Sequence, residues 1–379
     1  QSKLIVAGFL LALAIAGYGV TQIRINDNPV KWFHENHEIR VADRALNERF
    51  GGTYMAYLTL SSESEDALAS VAGDAEKRLN ALGTPQAQEL SGEAQALRSS
   101  AESVDAFLAE LSNKAESARD AAEADEDWYA WDDVLLALDA ASQAEEVFKQ
   151  PEMLAYIEKL QAHLASTGLV GKSNAVTDIV KTVHRDLFLG EEEAYRIPDT
   201  PEAVAQTLIT YQNSHRPQDL FKLVTPDFKK TVLWLQLKSG DNVDMSAVIK
   251  SVDDFIVQNP PPVAVSHNWF GLTYINVAWQ QKMVSGMAKA FLSSFVIVLI
   301  LMTILFRSFA WGLLSMAPLT VTIGVIYGVI GLIGKDYDMP VAVLSSLSLG
   351  LAVDYAIHFN ARSRELYRRI GNWRDTAKK

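Results

Sequence analysis

Residues 290–306 read AFLSSFVIVLILMTILF, a stretch without a single charged side chain. Residues 4–20 also carry none, and 311–334 and 339–361 are almost as apolar. Runs of this length are typical of helices that cross the hydrocarbon core of a membrane. The sequence therefore predicts four transmembrane helices, one near the start of the chain and three near its end.

Residues 4–20 have an alternative interpretation as a signal peptide, with Lys3 as its charged start. No small-x-small cleavage site precedes Thr21, which favours a retained helix. The three later apolar stretches would keep the chain in the membrane under either interpretation.

Charge is distributed unevenly along the 379 residues. Residues 23–288 carry 23 basic and 41 acidic side chains, a net charge of −18, whereas the rest of the chain carries +6. The basic surplus lies beside the predicted spans, at Lys3, at Arg307 and within 362–379. The positive-inside rule places these three on the cytoplasmic side, so that 23–288 is extracytoplasmic and both termini are cytoplasmic.

Composition excludes several classes of protein. The clustering of apolar residues is unlike that of a cytosolic enzyme or a disordered chain. The absence of cysteine from the sequence excludes disulfides, a thiol nucleophile and thiolate metal sites. The acidic segment 23–288 argues against a nucleic-acid partner, because phosphate binding needs a basic surface.

Strand and helix patterns predict an α+β layer outside the membrane. Alternating β-forming residues indicate strands, and apolar residues at helical spacing indicate helices. The predicted strands are 53–60, 231–237 and 262–266, and the predicted helices include 38–50, 151–167, 200–212, 245–258 and 273–306. With a helix that starts near Glu63, these elements form two β-α units.

The predicted domains follow from the spans and from changes in composition. They are the first transmembrane helix (1–22), the first part of a porter-like α+β domain (23–83), a helical hairpin insertion (84–150), the second part of the α+β domain (151–288), transmembrane helices two to four (289–361) and a basic cytoplasmic segment (362–379). The predicted fold class is a membrane α-helical bundle with four spans plus an extracytoplasmic α+β domain that carries a long helical hairpin insertion.

The insertion at 84–150 is rich in Ala, Glu, Ser and Gln. Its apolar residues alternate in steps of four and three, which is the a/d spacing of a coiled coil. They are Leu97, Ala101, Val104, Leu108, Leu111, Ala115 and Ala118. One interpretation is a helical hairpin that packs on itself. The other is a docking arm for a periplasmic partner or for a second copy of the chain.

Residues 350–359, GLAVDYAIHF, place an acid within the fourth predicted span. An aspartate near the centre of a membrane helix costs about 2.5–3.5 kcal/mol on insertion scales. Gly350, Asp354 and His358 follow one another at intervals of four residues and so share one face of the helix. Loss of water favours the neutral form of a carboxyl, so Asp354 and, as the weaker candidate, His358 are predicted to handle a proton. The alternative is a structural aspartate that pairs with a cation from a neighbouring helix.

Small residues recur along the last two predicted spans. Gly324 and Gly328 lie four residues apart in the third span, and Gly350 lies in the fourth. Small residues at this spacing permit close contact between membrane helices. These three glycines are therefore candidates for helix packing, with a hinge as the alternative role.

Two apparent chemical motifs fail on spacing. Residues 168–173 (GLVGKS) are similar to a phosphate-binding loop, but Ser166 stands where that loop requires its first glycine. Residues 34–37 (HENH) are one residue short of the H-E-x-x-H spacing of a zinc site. The sequence shows no nucleophile–base constellation, so we predict no catalytic residue, no cofactor, no metal and no enzymatic activity.

Six stretches together point to a known family. They are NDNP (26–29), FGGTY (50–54), GLTYINVAWQ (271–280), LFRS (305–308), GKDYDMP (334–340) and GLAVDYAIHF (350–359). With one span before a large extracytoplasmic domain and closely spaced spans after it, the chain resembles one repeat of a resistance-nodulation-division (RND) transporter. It is most similar to the MmpL-type exporters of hydrophobic molecules, whose membrane block is also similar to a sterol-sensing domain.

The resemblance implies export of lipids or other hydrophobic molecules from the bacterial inner membrane, driven by proton influx. It implies that Asp354 and Tyr355 form the proton relay and that the α+β layer is a porter domain. RND chains contain two such repeats, so the sequence is expected to be one repeat of a longer protein. Its expected partners are the second repeat and a membrane lipid or hydrophobic substrate.

Two hypotheses of function follow. The first is proton-driven export of lipidic cargo by alternating access. The second is a lipid-sensing or scaffolding membrane protein that binds a sterol-like ligand and uses no proton gradient. Linkage between a proton at Asp354 and cargo movement distinguishes the two.

Overall fold

A computed structural model describes residues 2–62, 67–101 and 103–372. The chain forms two compact units. The first unit consists of Gln1–Arg49, Ser239–Ser246 and Leu272–Lys379, and the second consists of Phe50–Lys238 and Ala247–Gly271. The predicted helix start near Glu63 and the basic residues of 373–379 lie outside the described residues.

Helices dominate both units. The α-helices found in the described residues are α1 (Ser2–Val20), α2 (Glu38–Phe50), α3 (Ala67–Leu82), α4 (Pro85–Leu97), α5 (Val104–Asp120), α6 (Asp125–Glu145), α7 (Pro151–Ser166), α8 (Val176–Leu187), α9 (Pro201–Gln212), α10 (Asn242–Gln258), α11 (Leu272–Phe306), α12 (Phe309–Leu332) and α13 (Met339–Ile370). The β-strands are β1 (Tyr54–Ser61), β2 (Val170–Asn174), β3 (Lys230–Leu237) and β4 (Ser266–Phe270).

Helix α11 is one continuous helix of 35 residues, as the sequence predicts. At 1.5 Å per residue it is about 52 Å long, whereas the hydrocarbon core of a bilayer is about 30 Å thick. Its charge-free part is the second half, residues 290–306, and Lys282 and Lys289 lie in the first half. We therefore expect the first half to stand outside the membrane.

Two helices of the described chain, α11 and α12, are long and apolar enough to cross a membrane. Within α1 the shorter segment Leu10–Val20 is apolar. Helix α13 occupies the fourth predicted span. The first and fourth spans therefore stay predictions, while the second and third have helices of the required length and composition.

The helices of the first unit pack around a small apolar core. Met316 and Leu319 of α12 are buried between α11 and α13. At the turn between α11 and α12, Arg364 of α13 donates from Nη1 to the backbone oxygen of Phe306 at 3.2 Å. The same guanidinium lies 5.4 Å from the ring centroid of Trp311. One cation thus caps the end of α11 and attaches α13 to it.

The second unit contains a four-stranded antiparallel sheet in the order β2-β3-β1-β4. In this order β1 lies between β3 and β4, and β3 lies between β2 and β1. This arrangement is that of the ferredoxin-like split β-α-β fold. The two β-α units predicted from the sequence are therefore present and interleaved in one sheet.

Alternation along the central strands separates the two faces of the sheet. Every second residue of β1 and β3 is buried. The buried set consists of Ala56, Leu58, Leu60, Thr231, Leu233, Leu235 and Leu237. On the opposite face Tyr57 stacks on Phe270 at 4.8 Å and meets Trp234 edge-on at 5.5 Å.

The predicted hairpin insertion is a four-helix bundle instead, because α3 joins α4, α5 and α6 around one apolar core. The coiled-coil spacing predicts one helix through residues 97–118, but α4 ends at Leu97 and α5 begins at Val104. Ser103 caps α5, with its Oγ accepting a hydrogen bond from the N–H of Ala106 at 3.1 Å. Serine favours such caps over helix interiors, which explains the break.

The bundle buries its own apolar seam. Leu108, Leu111 and Ala115 of α5 are buried within it. The seam therefore needs no outside protein to cover it, which agrees with the self-packing interpretation. Docking of a partner on residues 84–150 stays a prediction.

Candidate functional site

Helix α13 carries the candidate residues, and a capped turn fixes its start. Asp338 Oδ1 accepts a hydrogen bond from the backbone N–H of Val341 at 3.0 Å, and Lys335 pairs with the other carboxylate oxygen. The Asp338 side chain is buried, so the cap is shielded from water. At 1.5 Å per residue, Asp354 lies about 22 Å along the axis from Met339.

One face of α13 packs against α12 and sets the rotation of the helix. Val353 packs against the apolar cluster around Met316 and Leu319. Asn360 donates from Nδ2 to Ser315 Oγ at 2.9 Å, and both residues are buried. Val353 and Asn360 are seven residues apart, two turns of the helix, so they lie on the same face.

The three predicted relay residues lie on the other side of α13. At 100° per residue, Asp354, His358 and Tyr355 are turned by about 100°, 140° and 200° from Val353. All three are exposed, Tyr355 to 78%, and Phe359 beside them is 69% exposed. Within the described residues none of the three has a hydrogen-bond or ion-pair partner.

The structure thus brings Asp354, His358 and Tyr355 together on one open face. A carboxyl, an imidazole and a phenol on an exposed helix face are groups that can exchange protons with a facing helix. Among the described residues no Lys or Arg pairs with Asp354. The proton-handling role and the alternative of a structural aspartate both stay predictions.

The candidate glycines have different surroundings. A Cβ atom on Gly328 would lie 2.4 Å from Cα of Ala16, and one on Gly331 would lie 1.8 Å from a backbone oxygen of α1. Helices α1 and α12 therefore approach each other backbone to backbone, as small residues permit. By contrast, a Cβ on Gly324 or Gly350 would meet no atom within 4 Å.

The Asn360–Ser315 pair was not predicted from the sequence. The pair lies between two helices, and both side chains are buried. A usable signal was the position of Asn360, seven residues after an apolar valine and at the end of an apolar stretch. Polar side chains at such positions often hydrogen bond across membrane helices.

The first unit contains two helices that are long and apolar enough to cross a membrane, and the second unit is built on a split β-α-β sheet. These features are those of a membrane-associated protein with an α+β unit. The model of the MMPL family matches residues 63–378, and the chain belongs to this family. Members of the family are transporters of the RND type and not enzymes. No curated protein matches the chain.

Proposed function

We propose that this chain forms the proton-coupled part of an exporter that moves lipids or other hydrophobic molecules out of the bacterial inner membrane, with its extracytoplasmic part in the periplasm. The observation that carries the proposal is Asp354, an acid on the open side of an apolar helix without a partner among the described residues. Membership of the MMPL family supports a hydrophobic cargo.

The environment of Asp354 differs from that of a structural acid. Glu365, three turns further along α13, pairs with Arg362 at 3.1 Å and also with Arg369. Asp354 has no such cation among the described residues, and an ionised carboxylate at membrane depth costs about 2.5–3.5 kcal/mol. Proton uptake removes that charge. With Asp354 neutral, the open face of α13 is more stable in apolar surroundings than with Asp354 ionised.

The partner that fits this face is a second repeat with its own acid and tyrosine. Asp354, His358 and Tyr355 would meet that repeat across the open face of α13. Loading and release of a proton would then alter how α13 pairs with the facing helix of the second repeat. The relative populations of the ligand-free and cargo-bound conformations would change as a result. Rocking of one repeat against the other is the common route to alternating access.

The test uses the whole transporter in vesicles of phosphatidylethanolamine and phosphatidylglycerol. An imposed pH gradient should drive proton entry, recorded with a trapped pH dye, together with transfer of a fluorescent phosphatidylethanolamine. Asp354→Asn keeps the shape of the side chain but cannot lose a proton. We expect this variant to lose both gradient-driven signals, by roughly a hundredfold if it acts as a general acid–base group.

Glu365→Gln is the matched control, because it neutralises an acid on the same helix. It should leave both signals close to those of the wild type. Gradient-driven lipid transfer that survives Asp354→Asn would exclude the proposed relay. Lipid binding without any flux in the wild type would instead favour the lipid-sensing hypothesis.

A further inference from the structure

A cluster of buried and half-buried polar side chains in the first unit joins four segments of the chain. We name it the polar joint, and it consists of Asn26, Asn28, Asp241, Asn242, Gln280 and Asp336. Its segments are the stretch after α1, the start of α10, the first half of α11 and the turn between α12 and α13. Asn26 and Asn28 are 5% exposed, and Asn242 is 1% exposed.

Asn26 uses both ends of its side-chain amide. Its Nδ2 donates to Asp336 Oδ2 at 2.8 Å, and its Oδ1 accepts from the backbone N–H of Asn242 at 3.0 Å. Nearby, the backbone N–H of Tyr337 donates to the backbone oxygen of Arg24 at 2.8 Å. The stretch after α1 is therefore bonded both to the α12–α13 turn and to the start of α10.

Asn242 extends the joint to α11. Its Nδ2 donates to Gln280 Oε1 at 2.6 Å, in the half of α11 that precedes the apolar run. The adjacent Asp241 accepts from Asn28 Nδ2 at 2.7 Å and pairs with Lys31. Two consecutive residues thus fix the start of α10 to the stretch after α1 and to α11.

Stability alone is a poor explanation for Asn242. Its Oδ1 is buried and accepts no hydrogen bond from the described residues. A buried polar atom without a partner destabilises a fold, so this side chain is not optimal for stability. The amide instead fixes direction and register, because each hydrogen bond holds only in a narrow range of geometries.

The course of the chain gives the joint a route into the second unit. Ser239–Ser246 belongs to the first unit, while β3 before it and residues 247–258 of α10 after it belong to the second. A displacement of Asn242 therefore reaches both a central strand and a long helix through covalent bonds.

We infer that Asn26 and Asn242 are positioning residues that keep the joint closed throughout the transport cycle, so that movement of the membrane helices is delivered to α10 and β3. This inference rests on the proposed function. A hydrogen-bonded joint suits this role, because several of its bonds have to break together before the segments can separate. Loss of one amide should uncouple proton uptake at Asp354 from cargo movement.

The first measurement compares Asn242→Ala with the wild type in the vesicle assay, with rates divided by the amount of folded transporter. We expect lipid transfer to fall roughly tenfold, the factor for one buried hydrogen-bonded group. The pH at which transfer is half-maximal should stay unchanged, because Asp354 is intact. Asn213→Ala, which removes the same amide from an exposed position in the second unit, is the control and should transfer lipid normally.

The second measurement locks one contact of the joint with a covalent bond. Ile25 and Tyr337 form a parallel β-bridge, which sets their Cα atoms at a spacing that a disulfide can span, and the chain has no cysteine of its own. In the otherwise unchanged transporter, I25C and Y337C should transfer lipid equally well when oxidised and when reduced, because the joint stays closed throughout the cycle. Comparison of both states in one sample separates an effect of the bond from a folding defect.

The outcomes separate this inference from the proposed function. A wild type without gradient-driven transfer would refute the proposed function itself. A wild type that transfers lipid, an inactive Asp354→Asn and a fully active Asn242→Ala would refute only the joint. Inhibition by the disulfide would also refute it, because the segments would then have to separate during the cycle.

Discussion

At the scale of single residues, helix α12 contains two glycines with opposite surroundings. A methyl group on Gly328 would collide with the backbone of α1 at Ala16, whereas one on Gly324 would enter open space. We expect Gly328→Ala to destabilise the protein by about 1–3 kcal/mol, because α1 must move away. Unfolding of the detergent-purified protein measures the change.

Gly324→Ala is the matched control on the same helix. Alanine favours the helical backbone over glycine by up to about 1 kcal/mol, so this variant should be unchanged or slightly more stable. Equal effects of the two substitutions would show that α1 and α12 do not pack through Gly328.

Some residues of the candidate site can be recognised from the sequence, but their contacts cannot. Asp354 and His358 are recognisable from sequence because an acid and an imidazole in an apolar run are unusual whatever surrounds them. Their exposure on an open face depends on Val353 and Asn360, which contact a different helix. The bond from Asn242 to Asn26 spans 216 residues, and no local pattern predicts it.

At the scale of elements, the four-helix bundle depends on its interior and not on its outer surface. Leu111 of α5 is fully buried among α3, α4 and α6, whereas Leu136 of α6 is 62% exposed. Leu111→Ala should therefore destabilise the bundle by about 2–5 kcal/mol through the cavity it leaves. Hydrogen exchange of peptides from residues 85–145 in the whole protein reports this loss.

Leu136→Ala removes the same atoms from the surface of the bundle. The free energy of opening that hydrogen exchange reports should change by no more than about 0.5 kcal/mol. If the two variants exchanged alike, the bundle would not have the interior described above. Because Leu136→Ala is expected to leave the fold intact, the same variant also tests the predicted docking role of 84–150.

Elements with a strong local signal are predictable, and weak ones are not. Helix α11 follows from its long apolar run, and β1 and β3 follow from alternation. Strand β2 reads VGKSN, which has one buried position and a bulge after Val170, so its pairing with β3 defines it as a strand. Strand β4 lies at Ser266–Phe270, later than the predicted 262–266, because prolines cannot donate to the neighbouring strand.

At the scale of the whole molecule, Asp241 links stability to pH. Burial tends to raise the pKa of Asp241, but hydrogen bonds from Lys31 and Asn28 outweigh it and hold the pKa below its usual value. The stability that this carboxylate contributes is therefore present above the unfolded pKa, about 3.9, and is lost as pH falls through the folded pKa. We expect the wild type to lose thermal stability below about pH 4.

Asp241→Asn should be less stable than the wild type near neutral pH, and its melting temperature should depend less on pH in the acidic range. Asp133→Asn, which removes an exposed carboxylate in the bundle, is the control. Identical acid profiles for the wild type and Asp241→Asn would show that other carboxylates dominate acid unfolding.

The arrangement of units is the part that the sequence predicts least. Residues 23–49 and 272–288 were expected with the α+β domain, and the structure groups them with the membrane helices. Composition distinguishes polar from apolar segments, but polar residues such as Asn26, Asn242 and Gln280 join the membrane helices through hydrogen bonds. Such pairing is a property of the folded chain and not of any one segment.

The uninterrupted length of α11 has a mechanical consequence. A rod of about 52 Å that tilts by about 5° around one end moves its other end sideways by about 4.5 Å, which is about the rise of three residues along a helix. Leu272 follows β4 after a single glycine, so the chain leaves little slack between this end of the helix and the strand. In a continuous helix, a small change of angle at one end is a larger displacement at the other.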